Sequence, residues 1–148
     1  MSGSAKSKAA LAQEVWRLMF GLLMRTSPQR TRSIGRRGLT PNDSRALAGL
    51  EAHEGRSMRS LAAEWRCDAS NATWVVDRLE KLGLAERRGV SHDRRVKLVV
   101  LTAKGAKMKH ELLAEFHAAP SELLALERAD LDALRRALGK LPPAIPGR

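Results

Sequence analysis

Residues Asp68 to Thr102, DASNATWVVDRLEKLGLAERRGVSHDRRVKLVVLT, decide the fold. The stretch opens as a helix. Asp68 is a good N-cap, because its carboxylate can accept a hydrogen bond from an unpaired backbone N–H of the first turn. Ala72, Val75, Val76, Leu79 and Leu82 recur at helical spacing and predict one buried stripe. Gly83 stands where a left-handed residue closes a helix. The opposite face presents Ser70, Asn71, Thr73, Trp74, Asp77 and Arg78.

Two short strands follow, Leu84–Arg88 and Lys97–Leu101, the second rich in β-formers. Between them Gly89-Val90-Ser91-His92-Asp93-Arg94-Arg95 supplies turn chemistry. The loop is expected to join an antiparallel pair and to carry Arg94 and Arg95 at its tip. A polar helix face offers donors, acceptors and a flat ring to base edges and phosphates. Arginine suits a narrow minor groove, whose negative potential attracts it. Taken singly, the helix face reads equally as a solvated surface and the hairpin as an aid to solubility. In succession they favour a nucleic-acid reading head.

The rest of the composition is compatible with that reading. The chain has 148 residues, enough for one domain, and 43% of them are hydrophobic. It carries 27 basic and 16 acidic residues, a net charge of +11. Residues 1–110 hold 22 basic and 10 acidic residues, a surplus of 12, whereas 111–148 hold 5 and 6, a balance of −1. The excess therefore sits with the helix–hairpin stretch and the segments before it. That fits a phosphate-facing surface, although an anionic membrane surface or plain solubility would also accommodate it. The single cysteine, Cys67, rules out an intramolecular disulfide and points to a reducing compartment. No secretory leader is apparent, and the longest apolar-rich stretch, Val15–Met24, is too short to span a bilayer and contains Arg17. The expected location is cytoplasmic.

Upstream, residues 1–7 are small and polar and are expected to be disordered. A helix should start near Lys8, with Leu11, Val15, Leu18 and Leu22 on one face and Trp16 and Phe20 towards another. So wide an apolar arc suggests a partner subunit. Pro28 is expected to kink or end that helix. The basic run Arg25, Arg30, Arg32, Arg36 and Arg37 reads as solvated or weakly contacting. Thr40 and Pro41 mark a helix start, Arg56-Ser57-Met58 suits a minimal third strand, and Ser60–Trp65 a short helix before a turn at Arg66-Cys67. Short helix, tight turn and longer helix make a helix-turn-helix. Downstream, Thr102 caps a helix ending before Pro120, Ser121 caps another segment, and Leu131, Leu134, Leu138 and Leu141 continue an apolar stripe. The tail from Ala144 should be loose.

The fold expected is mainly α with a small β part: a winged helix-turn-helix lobe over 39–102 in a single domain of 1–148. Terminal helices over 8–37 and 103–141 would form a dimerisation layer, unless they pack only within the subunit.

Leu39-Thr40-Pro41, Leu61-Ala62-Ala63-Glu64, Val76 to Leu84, and Asp93-Arg94-Arg95 leading to Val100-Leu101-Thr102-Ala103-Lys104-Gly105 together resemble the MarR family of bacterial transcription regulators. The resemblance covers roughly residues 10–140, and the Asp-x-Arg wing running into Leu-Thr-x-x-Gly is its most specific part. It implies a homodimer that binds double-stranded DNA at a palindromic operator, usually as a repressor. It implies that the wing arginine enters the minor groove with the Asp two residues earlier orienting it, roles that fall to Arg95 and Asp93, with Arg94 beside them. It assigns base reading to Ser70, Asn71, Thr73 and Trp74, and a phosphate contact to Arg78. Trp74 departs from the smaller or basic residue commoner at its position. Release by a small aromatic acid is a family trait. Oxidation of a cysteine near the N-terminus is another, and this chain has none there; Cys67 reads as core.

Other classes find less support. His53, His92, His110 and His117 lack metal-ligand spacing, and neither a nucleophile–base pair nor a phosphate-cradling glycine loop is visible. An enzyme is not expected, nor a cofactor. A winged helix used for protein–protein contact and a ligand-blind architectural DNA-binding protein are the remaining alternatives.

Overall fold

The computed structural model describes residues 6–90 and 92–142. The expectations for residues 1–5 and for the tail from Ala144 lie outside them. The order is α1 (Lys8–Arg36), α2 (Pro41–Gly49), α3 (Met58–Trp65), α4 (Ala69–Lys81), β1 (Ala85–Val90), β2 (Asp93–Leu101), α5 (Ala103–His117), α6 (Ser121–Leu124) and α7 (Arg128–Leu138). The chain divides into two compact units, Met1–His117 and Ala118–Arg148. The division falls just before Pro120. Within the first unit α5 packs against α1, α2 and β2, burying Leu112.

The core of the first unit forms where the apolar stripes of α2, α3, α4 and α5 meet the inner face of the hairpin. Leu47, Leu50, Leu61, Val76, Leu79, Leu84, Val99, Leu101 and Leu112 are fully buried there. Burying each such side chain contributes roughly 1.5–3 kcal/mol against conformational entropy. The stripe predicted for α4 is realised, with Ala72, Val75, Val76 and Leu79 buried. Gly83 at φ +72° then turns the chain into β1.

The hairpin is longer than its β-propensity suggests. Ala85 pairs with Leu101 and Gly89 with Lys97, and past a register shift Val90 pairs with Asp93. Arg94 and Arg95 fall within β2 at that shift, next to the turn, and not in a loop. The third strand reduces to one bridge, with Arg56 N–H to Val99 O at 3.0 Å and Val99 N–H to Arg56 O at 2.8 Å. Ser57 caps α3 immediately afterwards and ends the pairing.

Pro28 does not end α1; the helix runs eight residues past it, to Arg36. Carbonyls of the preceding turn find side-chain donors: Thr26 Oγ1 to Leu22 O at 3.0 Å, and Arg30 Nη2 to Leu23 O at 2.8 Å. The far end is held by tertiary contacts. Ser33 and Ile34 are buried, and Glu115 of α5 binds Ser33 Oγ, Arg36 Nη2 at 3.2 Å and Arg37 Nη2 at 2.6 Å. Hydrogen bonds from Arg37 and Ser33 hold the Glu115 carboxyl far below the usual range, at about 2. Arg36 and Arg37 thus belong to a clasp between α1 and α5, a correction to the solvated basic run.

The second unit comprises α6 and α7. Pro120 rather than Ser121 occupies the N-cap of α6, and no side chain caps it. Leu124, Leu131, Leu134, Leu138 and Leu141 are exposed. In the first unit α1 exposes Leu11, Val15, Trp16, Leu18, Met19, Phe20, Leu23 and Met24, with Trp16 61% accessible.

Candidate nucleic-acid interface

The turn between α3 and α4 sets the reading helix. Cys67 N–H bonds to Ala62 O at 3.1 Å and Arg66 N–H to Ala63 O at 3.3 Å, a Schellman closure of α3. Arg66 occupies its left-handed position, at φ 52° and ψ 47°. Among the described residues it is the one non-glycine with positive φ. A side chain there costs roughly 1–2 kcal/mol relative to the right-handed form. Cys67, partly buried, packs against the core as expected.

Asp68 then caps α4. Its Oδ1 accepts the Asn71 N–H at 2.7 Å and the Ser70 hydroxyl at 2.6 Å. The Ser70 hydroxyl above all, then the Asn71 N–H, pull the Asp68 carboxyl below its ordinary range. The predicted base readers are thus partly engaged within the subunit. Ser70 donates to Asp68, and Thr73 Oγ1 donates to Ala69 O at 2.8 Å. Each hydroxyl keeps acceptor capacity for an outside donor. Trp74 is 56% accessible, so its ring does not serve core packing.

Arg78 has a different environment from that expected of a phosphate contact alone. Its Nε lies 3.0 and 2.9 Å from the two carboxylate oxygens of Asp43, and its Nη2 lies 3.4 Å from Gly38 O. Asp43 is fully buried. It also closes a reciprocal cap on α2: Thr40 N–H to Asp43 Oδ2 at 2.7 Å, and Asp43 N–H to Thr40 Oγ1 at 3.1 Å. One carboxylate thereby ties the start of α2 to the middle of α4.

The wing is locked to the same helix. Arg87 of β1 donates to Asp77 Oδ1 and Glu80 Oε1, each at 2.8 Å. Burial alone would lower the Arg87 guanidinium, but these ion pairs outweigh it and raise it. At the distal end Asp93 Oδ1 accepts the backbone N–H of Arg95 at 2.9 Å, which constrains the chain where Arg95 leaves it. Arg95 is exposed. The Arg94 side chain lies outside the described part of the structure.

The positioning residues Asp43 and Arg87 were not singled out from the sequence. Thr40 followed three residues later by an acid is a capping-box signal and makes Asp43 legible. Arg87 has no local signal, since its partners lie seven and ten residues away across a helix-to-strand turn.

A helix-turn-helix whose second helix carries an exposed polar face, with a basic hairpin clamped beside it, defines a winged-helix DNA-binding protein. The chain belongs to the MarR family and is a DNA-binding transcription regulator; the MarR family model matches residues 37–96. Transcriptional repressor MprA of Escherichia coli (strain K12) is 30% identical over 128 residues, which span 84% of this chain and 73% of that protein. The crystal structure of YusO from Bacillus subtilis superposes with a TM-score of 0.74 at 27% identity, covering 95% of this chain and all of that one. The S. aureus MepR–DNA complex shares the fold, with a TM-score of 0.58 at 16% identity over 86% of this chain and 99% of that one.

Proposed function

We propose that the protein is a homodimeric repressor that grips a palindromic operator with two winged lobes and releases it on binding a small aromatic acid. It carries out no catalysis and acts in the cytoplasm. The single observation carrying the reading is the clamped α4–wing pair, which presents Ser70, Asn71, Thr73 and Trp74 beside a constrained Arg95. In this reading α4 lies in the major groove, and Arg95, with Arg94 beside it, follows the minor groove.

The apolar faces left exposed by α1 in one unit and by α6 and α7 in the other support dimerisation. An exposed apolar helix face of this kind marks an interaction site. A two-fold dimer spaces its reading helices about one DNA turn apart, roughly 34–36 Å. Selection of bound duplexes from random DNA is therefore expected to return inverted repeats with that half-site spacing. Recovery of lone half-sites would sink the palindromic dimer.

An effector site is supported by a cavity of about 680 Å3 within the first unit. Leu101, Ala106 and Leu113 give it an apolar wall, and His53, His110 and His117 provide ring donors for a carboxylate. It lies where Lys109 of α5 holds Leu50 O at 2.8 Å and Glu51 at 2.7 Å, at the start of the link from α2 to the reading head. A ligand wedged there would work against that tie. Selection repeated with phenolic acids should yield less bound DNA.

Replacing Arg95 by alanine is expected to weaken operator binding by about 1–3 kcal/mol with the thermal unfolding midpoint unchanged. Equal affinity in a mobility-shift titration would remove the wing from the interface.

A further inference from the structure

We infer that Arg66, at the turn between α3 and α4, is a DNA-phosphate contact. This rests on the DNA-binding reading of α4 and adds a residue outside the recognised reading face. Three observations carry it. The Schellman closure of α3 places residue 66 in the left-handed region, φ 52° and ψ 47°, where glycine fits without a side-chain clash. An arginine stands there instead, and no side-chain interaction among the described residues compensates. Its side chain is exposed and makes no hydrogen bond or ion pair among the described residues. Several nearby arginines are held within the subunit instead: Arg56 pairs with Glu64 at 2.6 Å, Arg78 with Asp43, and Arg87 with Asp77 and Glu80. Finally, Arg66 precedes the Asp68 cap by two residues. In a helix-turn-helix the first residues of the second helix meet the base edges, and the flanking chain runs beside the sugar–phosphate backbone. A guanidinium at that place meets phosphate oxygens, with which it forms charge-assisted, often bidentate, hydrogen bonds.

The inference makes stability and binding move in opposite directions. Arg66→Gly removes the left-handed penalty and is expected to raise the thermal midpoint by roughly 2–4 °C. The same change should weaken binding to a mixed-sequence DNA duplex, measured by fluorescence anisotropy, by about three- to tenfold. It should also make the dependence of log affinity on log salt shallower by about 0.9 for each lobe engaged. Arg66→Lys should keep the salt slope of the unmodified protein, because the charge is retained. Arg66→Gln, which leaves the backbone penalty in place, should lose the slope without the gain in stability. Unchanged affinity and slope in both Arg66→Gly and Arg66→Gln would overturn the inference while leaving the DNA-binding reading intact. Loss on a selected operator with no loss on the mixed-sequence duplex would equally overturn it, by making Arg66 a base reader. Failure of the unmodified protein to bind any duplex would overturn both.

Discussion

Gly105→Ala is expected to destabilise the protein by about 3 kcal/mol or more, at or above the upper end of ordinary overpacking costs. A Cβ at residue 105 would lie 1.8 Å from the carbonyl oxygen of Leu84 and 2.8 Å from its carbonyl carbon. Both are backbone atoms, so no side chain can swing aside. The backbone there is also held from several directions. Thr102 N–H bonds to Leu84 O at 3.1 Å, Thr102 Oγ1 donates to Gly83 O at 2.6 Å, and Gly105 N–H returns to Thr102 Oγ1 at 3.0 Å. Relief would require the first turn of α5 to withdraw from the start of β1, opening the core around Leu84 and Leu101. Urea denaturation would show the change as a lowered midpoint at similar slope. A variant within about 1 kcal/mol of the parent, below the usual cost of inserting a methyl into a packed site, would mean that α5 is not seated as described.

Arg78→Ala should cost about 3–5 kcal/mol, the range seen when one partner of a buried ion pair is removed. Asp43 has no exposure to solvent, and the Arg78 side chain is 34% accessible. Truncation leaves a carboxylate inside the protein with, among the described residues, only the Thr40 N–H still donating to it. Adding Asp43→Asn to that variant removes the stranded charge and should restore part of the loss. The pair of measurements separates two roles for Arg78. If it acted only on phosphate, Arg78→Ala would lower DNA affinity and leave the urea midpoint where it was. If it holds α2 against α4, stability falls first, and DNA binding follows through the displaced reading helix.

How much of this was legible beforehand depends on the range of the interaction. The caps at Thr40, Asp68 and Thr102 and the stripe of α4 are encoded within a few residues, and these elements form where the residue pattern places them. Leu-Thr-x-x-Gly could be recognised as a motif, but its reason could not: the glycine is required by Leu84, a neighbour only after folding. The continuation of α1 past Pro28 has the same kind of reason. Local sterics argue for a break, whereas Glu115, about eighty residues on, clasps the end of the helix. Arg94 and Arg95 read as loop because their own strand preference is weak, whereas the folded hairpin carries β2 through them to Asp93.

What the amino-acid order determined by itself was the succession of helix, turn, helix and basic hairpin, because period, capping and turn chemistry act between near neighbours. Only the tertiary structure decided which charged side chains face outward. Asp43, Arg78, Arg87 and Glu115 look like surface residues in the chain, yet each is held by a partner that packing brings within hydrogen-bond reach. Arg66 and Arg95 are left exposed by the same packing. Charge interactions depend on distance and burial, and neither exists until the chain has folded.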